Sequence, residues 1–107
     1  MKSTIWLSYD LGVRGDYESL YTWLDSHGAK ECGESLAVIT YTYNGSLLDN
    51  LRAELTEALT VDKRTRIYVV YRDKTSTKVK GDFLFGGRRV PPWNGLASGG
   101  KETDEEV

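Results

Sequence analysis

Residues 5–20 read IWLSYDLGVRGDYESL, and their order decides the fold. From Thr4 to Asp10 apolar and polar residues alternate, the period of a strand. Ile5, Leu7 and Tyr9 then project to one side, and Trp6, Ser8 and Asp10 to the other. After the loop LGVRG, Asp16 stands where an N-cap carboxylate accepts backbone N–H bonds of a first helical turn. Tyr17, Leu20, Tyr21 and Leu24 follow at helical spacing, and Gly28 supplies the stop. The spacing predicts a helix from Tyr17 to His27. Aspartate is depleted in strands, so Asp10 has two readings: a strand leaving the core for solvent, or a metal-binding carboxylate presented on an otherwise open sheet.

The remaining chain continues the alternation of strand and helix. AKECGES predicts a short strand and a tight turn at Gly33, and SLAVITYTY a strong strand that Asn44-Gly45 breaks. Ser46 with Asp49 resembles a capping box, and Leu48, Leu51, Leu55 and Leu59 form the apolar side of a second helix. DKRT is a loop, RIYVVYR a strand, and DKTSTK a hairpin connection to a last strand over Val79–Phe85. In GGRRVPPWNG, Pro91 and Pro92 predict an extended closing path. Residues 98–107 are low in apolar content and predict a disordered acidic tail.

This order predicts an α+β chain, a ferredoxin-like βαββαβ sandwich with an additional C-terminal strand, over a single domain at 1–97. Helices cover one sheet face only. Trp6, Tyr41, Tyr43, Tyr68 and Tyr71 exceed what two amphipathic helices need, so some belong on the open face, which a homodimer would cover. A chain of 107 residues suits one core, burying roughly 65% of its unfolded surface. No run has the length of a membrane span, no secretory h-region opens the chain, and Cys32 has no cysteine to pair with. A cytoplasmic location is the resulting expectation.

Charge is unevenly distributed. Residues 1–60 carry −5, residues 61–90 carry +6 and residues 91–107 carry −3, for a net −2. That asymmetry permits a basic face on an acidic chain, and equally describes solvated charge on hairpin edges. Arg14, Lys63, Arg64, Arg66, Lys74, Lys78, Lys80, Arg88 and Arg89 are the candidate phosphate contacts. Tyr68, Tyr71, Phe83 and Phe85 lie among them, as core or dimer contacts or as stacking surfaces for bases. Ser8 shares a face with Asp10 and is a candidate for positioning water or phosphate.

Other chemistries fall away. One cysteine and one histidine cannot close a zinc site. His27, near a helix C-terminus, suits a structural role better than that of a general base. No nucleophile elbow supports a Ser-His-Asp triad, and Gly86-Gly87 lacks the Lys-Ser pair and helix of a phosphate loop. Arg14-Gly15-Asp16 reads as a loop and an N-cap.

SYDL at a strand end, DYESL opening a helix, the glycine ending that helix and the closing PPWNGLA together resemble the SinR-like small proteins. Through them the chain resembles the CRISPR-associated Cas-two adaptation proteins and the VapD-like toxin ribonucleases, over residues 4 to about 97. The resemblance implies a ferredoxin-like homodimer acting on RNA or DNA, with Asp10 near the dimer axis. Two copies of Asp10 would share Mg²⁺ or Mn²⁺, which take oxygen ligands and lower the pKa of bound water for phosphodiester cleavage. It equally implies a catalytically silent, nucleic-acid-holding relative. The alternative is a non-catalytic protein-interaction module with a protein partner.

Overall fold

The alternation of residues 4–10 becomes strand β1, Lys2–Asp10, in a computed structural model that describes residues 1–97. The tail expected over residues 98–107 lies outside the described residues. Helix α1 (Tyr17–Ser26) follows, then β2 (Lys30–Gly33), β3 (Leu36–Thr42), α2 (Leu47–Ala58), β4 (Arg66–Arg72) and β5 (Val79–Phe85). The strands form one antiparallel sheet in the order β2-β3-β1-β4-β5. β1 is its centre, with Trp6 opposite Val38 on one side and Val70 on the other. The protein is therefore α+β, with two helices on an open five-stranded sheet, an arrangement compatible with a ferredoxin-like fold.

The period-two pattern sorts the faces. Ile5, Leu7, Ile39, Tyr41, Ile67 and Val69 are buried beneath the helices. They meet Leu20, Trp23 and Leu24 of α1 and Leu47, Leu51 and Leu55 of α2. Each fully buried leucine or isoleucine contributes about 1.5–3 kcal/mol of apolar transfer. α2 begins one residue before the expected apolar stripe, so Leu47 is buried and Leu48 only partly so. Of the five aromatic side chains in excess, Tyr41, Tyr43 and Tyr71 are buried in the core. Two of them need polar partners there: Tyr41 donates to Glu54 Oε2 at 2.6 Å and Tyr71 to Asp82 Oδ2 at 2.8 Å. Trp6 and Tyr68 stay on the open face, in register with Val70 and Phe83.

Local chemistry closes the helices as their sequences suggest. Ser46 Oγ accepts the Asp49 N–H at 3.2 Å at the start of α2. After α1, Gly28 takes φ +66°, and Ala29 N–H donates back to Leu24 O at 3.0 Å, a Schellman closure that needs the left-handed residue. The closing segment departs from its expected extended path. Beyond Pro91 it coils, with Asn94 N–H donating to Pro91 O at 3.0 Å, because Pro92 has the φ that the second residue of a tight turn needs.

Asp16 joins the two helices. Its Oδ1 caps α1 by accepting the Ser19 N–H at 3.3 Å, and its Oδ2 accepts the Thr60 N–H, just past α2, at 2.9 Å. The Thr60 bond first, then Ser19, holds this carboxyl below the usual aspartate range. A lowered folded-state pKa gives stability that is present above the unfolded value, about 3.9, and is lost as pH falls through the folded one. Asp16→Ala is therefore expected to lower Tm at pH 7 and to converge on wild type in acid. Thermal melts at pH 7 and pH 2.5 check this, and an equal gap at both would sink the assignment.

Candidate nucleic-acid interface

The open face is decided by which residues alternate outward. β1 contributes Ser8 and Asp10, β4 contributes Arg66 and Tyr68, and β5 contributes Phe83. Ser8 pairs with Tyr68, Asp10 with Arg66, and Tyr68 with Phe83, so these side chains lie side by side at one end of the sheet. Arg88 and Arg89 arrive from the segment after β5. A shallow cavity of about 260 Å³ results, lined by Ser8, Tyr9, Asp10, Arg66, Tyr68, Phe83 and Arg88.

Asp10 is held on three sides. Its Oδ1 accepts the Gly12 N–H at 3.0 Å, and its Oδ2 lies 3.9 Å from Arg66 Nη1 and 3.8 Å from Arg89 Nη1. The strand does end at Asp10, and its carboxylate faces two guanidinium groups. Arg66 is further fixed by donating from Nε to Gly87 O at 3.2 Å. Gly86 makes that approach possible. Its φ of +78° suits glycine, and a Cβ there would press on Arg66 and on the Thr65 carbonyl.

The aromatic part is equally specific. Tyr68 and Phe83 meet edge to face with centroids 4.8 Å apart. The Arg88 guanidinium sits 5.6 Å from the Tyr68 centroid and 5.7 Å from that of Phe83, and Arg66 lies 5.8 Å from Phe83. Tyr68 reaches across Gly81, where a side chain would collide with its ring. Gly81 thus keeps β5 flat beneath the tyrosine.

The sequence candidates separate into three groups. Arg66, Arg88 and Arg89 gather around Asp10 and Ser8, with Lys63 and Arg64 in the adjoining α2–β4 loop. Arg14 lines a separate shallow depression with Arg64 and Asp62. Lys74, Lys78 and Lys80 belong to the opposite end of β4, about 20 Å away at the rise of a seven-residue strand. There Lys74 donates to the Lys2 carbonyl at 2.8 Å, and Lys80 pairs with Asp73 at 3.4 Å. His27 lies away from this cluster: its Nε2 is 3.2 Å from Glu54 Oε1 and its ring meets that of Trp23 with centroids 4.2 Å apart, tilted by 33°. Gly12, Gly81 and Gly86 shape the cluster and carried no chemical signal in the sequence.

Mg²⁺ and Mn²⁺ ask for several oxygen ligands. One chain offers Asp10 alone, beside two guanidinium charges, and among the described residues no three His, Cys, Asp or Glu side chains come together. The donor set of one chain does not fit such an ion, and a second copy would have to complete it. What one chain does assemble is an arginine-rich, aromatic-floored surface, able to take a phosphate beside a planar ring. Among the described residues no helix is long and apolar enough to cross a membrane. No protein-family model matches the chain, and no curated protein or solved structure matches it.

Proposed function

We propose that the chain is a small homodimeric nucleic-acid-binding protein of ferredoxin-like topology, a relative of the SinR-like, Cas-two and VapD-like proteins that its motifs resemble. The observation that carries the reading is the convergence of Arg66 and Arg88 with Tyr68 and Phe83 on one cavity at Asp10, with Arg89 paired to that aspartate. Guanidinium groups pair with phosphates, and half-buried rings such as Tyr68 and Phe83 stack bases whatever their sequence. In this reading Asp10 positions the arginines. Dimerisation uses the open face around Trp6, which is 40% exposed and flanked by Val38 and Val70. Trp6→Glu is expected to convert dimer to monomer in sedimentation velocity, and a wild type that is itself monomeric would remove this part.

Wild type and Asp10→Asn, each with labelled single-stranded RNA and duplex DNA, in Mg²⁺, in Mn²⁺ and in chelator, test the reading. Binding is expected in all three solutions, weakening steeply with salt as counterions are released. Metal-dependent cleavage lost only in Asp10→Asn would replace binding by nuclease action, with two Asp10 carboxylates sharing the ion across a dimer. Absence of both binding and cleavage would leave the protein-interaction module.

A further inference from the structure

We infer that the cavity beside Asp10 selects an unpaired guanine, its base edge on the Asp10 carboxylate and its phosphate on the neighbouring arginines. The inference rests on the nucleic-acid reading and narrows its ligand.

A carboxylate only accepts hydrogen bonds, and a guanidinium only donates them. Along its Watson–Crick edge guanine presents two adjacent donors, N2–H and N1–H, followed by the acceptor O6. Adenine, cytosine and uracil each offer a single donor position there, so none can give a carboxylate two parallel bonds. Asp10 with Arg66 or Arg89 beside it presents acceptor, acceptor, donor, the complement of the guanine edge.

The geometry leaves this edge accessible. Asp10 is 51% exposed at its side chain, and only Oδ1 is engaged at hydrogen-bond distance, by Gly12. The arginine nitrogens at 3.8 and 3.9 Å from Oδ2 attract it without bonding to it, so Oδ2 keeps both lone pairs for a ligand, and Oδ1, with one bond from Gly12, keeps its second. The Arg88 guanidinium, itself lying over the Tyr68 ring, supplies a planar surface for the base, and such stacking does not discriminate between bases. Selectivity therefore falls to Asp10. A cavity of about 260 Å³ lies just below the roughly 300–1,000 Å³ of sites for drug-sized ligands. It is sized for one planar group.

The test uses fluorescence anisotropy on the full chain with seven-nucleotide oligouridylates carrying guanine, inosine, adenine, cytosine or uracil at the centre. 5′-GMP and 5′-AMP serve as competitors. A bidentate pair leads to an expected preference for guanine of about tenfold. Inosine, which lacks the N2 amino group, should fall between guanine and the rest. Asp10→Asn should abolish the preference, because its amide opposes a donor with a donor, while Tyr68→Ala should weaken all five alike. The wild-type panel decides even if a variant fails to fold. Equal, salt-sensitive binding of all five oligonucleotides overturns the guanine inference and leaves nucleic-acid binding standing. No binding of any oligonucleotide at low salt, with GMP also silent, overturns both. GMP competing as strongly as the guanine oligonucleotide keeps the guanine site and overturns the polymer as its ligand.

Discussion

Replacing Arg66, Arg88 and Arg89 together by alanine is expected to weaken binding of single-stranded oligonucleotide by about a hundredfold or more at low salt. Charge-assisted hydrogen bonds are the strong ones, and each arginine–phosphate pairing on a single strand accounts for roughly 0.7 in the slope of log affinity against log salt. Removing all three guanidinium groups should therefore flatten that slope by about 2. The matched control is Lys74, Lys78 and Lys80 to alanine, the same charge removed from the far end of β4. At 0.1 M ionic strength it should change affinity by less than about threefold, because charges beyond the Debye length of about 10 Å are then largely screened. Circular dichroism separates binding loss from unfolding, since Arg66 also ties down Gly87 and Arg88 packs on Tyr68. Equal losses in both triple variants would mean diffuse attraction to a basic surface. No loss in either would remove nucleic acid as the ligand.

The largest effect on stability is expected at Glu54, a polar residue outside the candidate interface. Its carboxylate accepts from the Tyr41 hydroxyl at 2.6 Å and from Trp23 Nε1 at 3.2 Å, and meets His27 Nε2 at 3.2 Å. One side chain of α2 thereby fixes α1 and β3. Glu54→Ala strands the hydroxyl of Tyr41, a residue 1% exposed, and an unsatisfied buried donor costs about 1–3 kcal/mol. The Glu54 side chain is 42% exposed, so water can replace part of the bond to Trp23. About 2 kcal/mol is the expected total, or roughly 10 °C in Tm for a domain of this size. A double-mutant cycle with Tyr41→Phe measures the shared part, and a Glu54→Ala melt within about 2 °C of wild type would contradict it.

The same bond sets an alkaline limit. Burial first, then the hydrogen bond to Glu54, pushes the Tyr41 phenol well above its ordinary value. Burial and Asp82 push Tyr71 up to about 12. Phenols raised in the folded state favour folding fully below the unfolded value near 10, and that contribution is lost as pH climbs through the folded values. Stability should thus fall as pH rises above about 10, with Glu54→Ala showing the shallower decline.

The strands and helices were legible because each is a periodic pattern that ends on recognisable chemistry. Tyr17 to Leu24 repeats at helical spacing between Asp16 and Gly28, and both residues cap as their types suggest. The fate of the tyrosines was less legible. Nothing in the neighbouring sequence distinguishes Tyr41 and Tyr71 from an exposed aromatic. Their burial depends on the acceptors Glu54 and Asp82, 13 and 11 residues away, which satisfy the hydroxyls inside the core.

The candidate site divides in the same way. Residue order alone dictates that Asp10 ends a strand on the face opposite Ile5, Leu7 and Tyr9, since a strand alternates strictly and an apolar side must be buried. It also dictates that positive charge concentrates between residues 61 and 90. Which of those cations meet the aspartate is a matter of the folded arrangement. Register places Arg66 directly opposite Asp10, and Gly86 lets the chain turn so that Arg88 and Arg89 return to it. The lysines of the β4–β5 hairpin are carried to the other end. Strand pairing couples residues more than 50 positions apart through backbone hydrogen bonds that carry no side-chain identity, so the pairing partner of Asp10 is written in no local pattern.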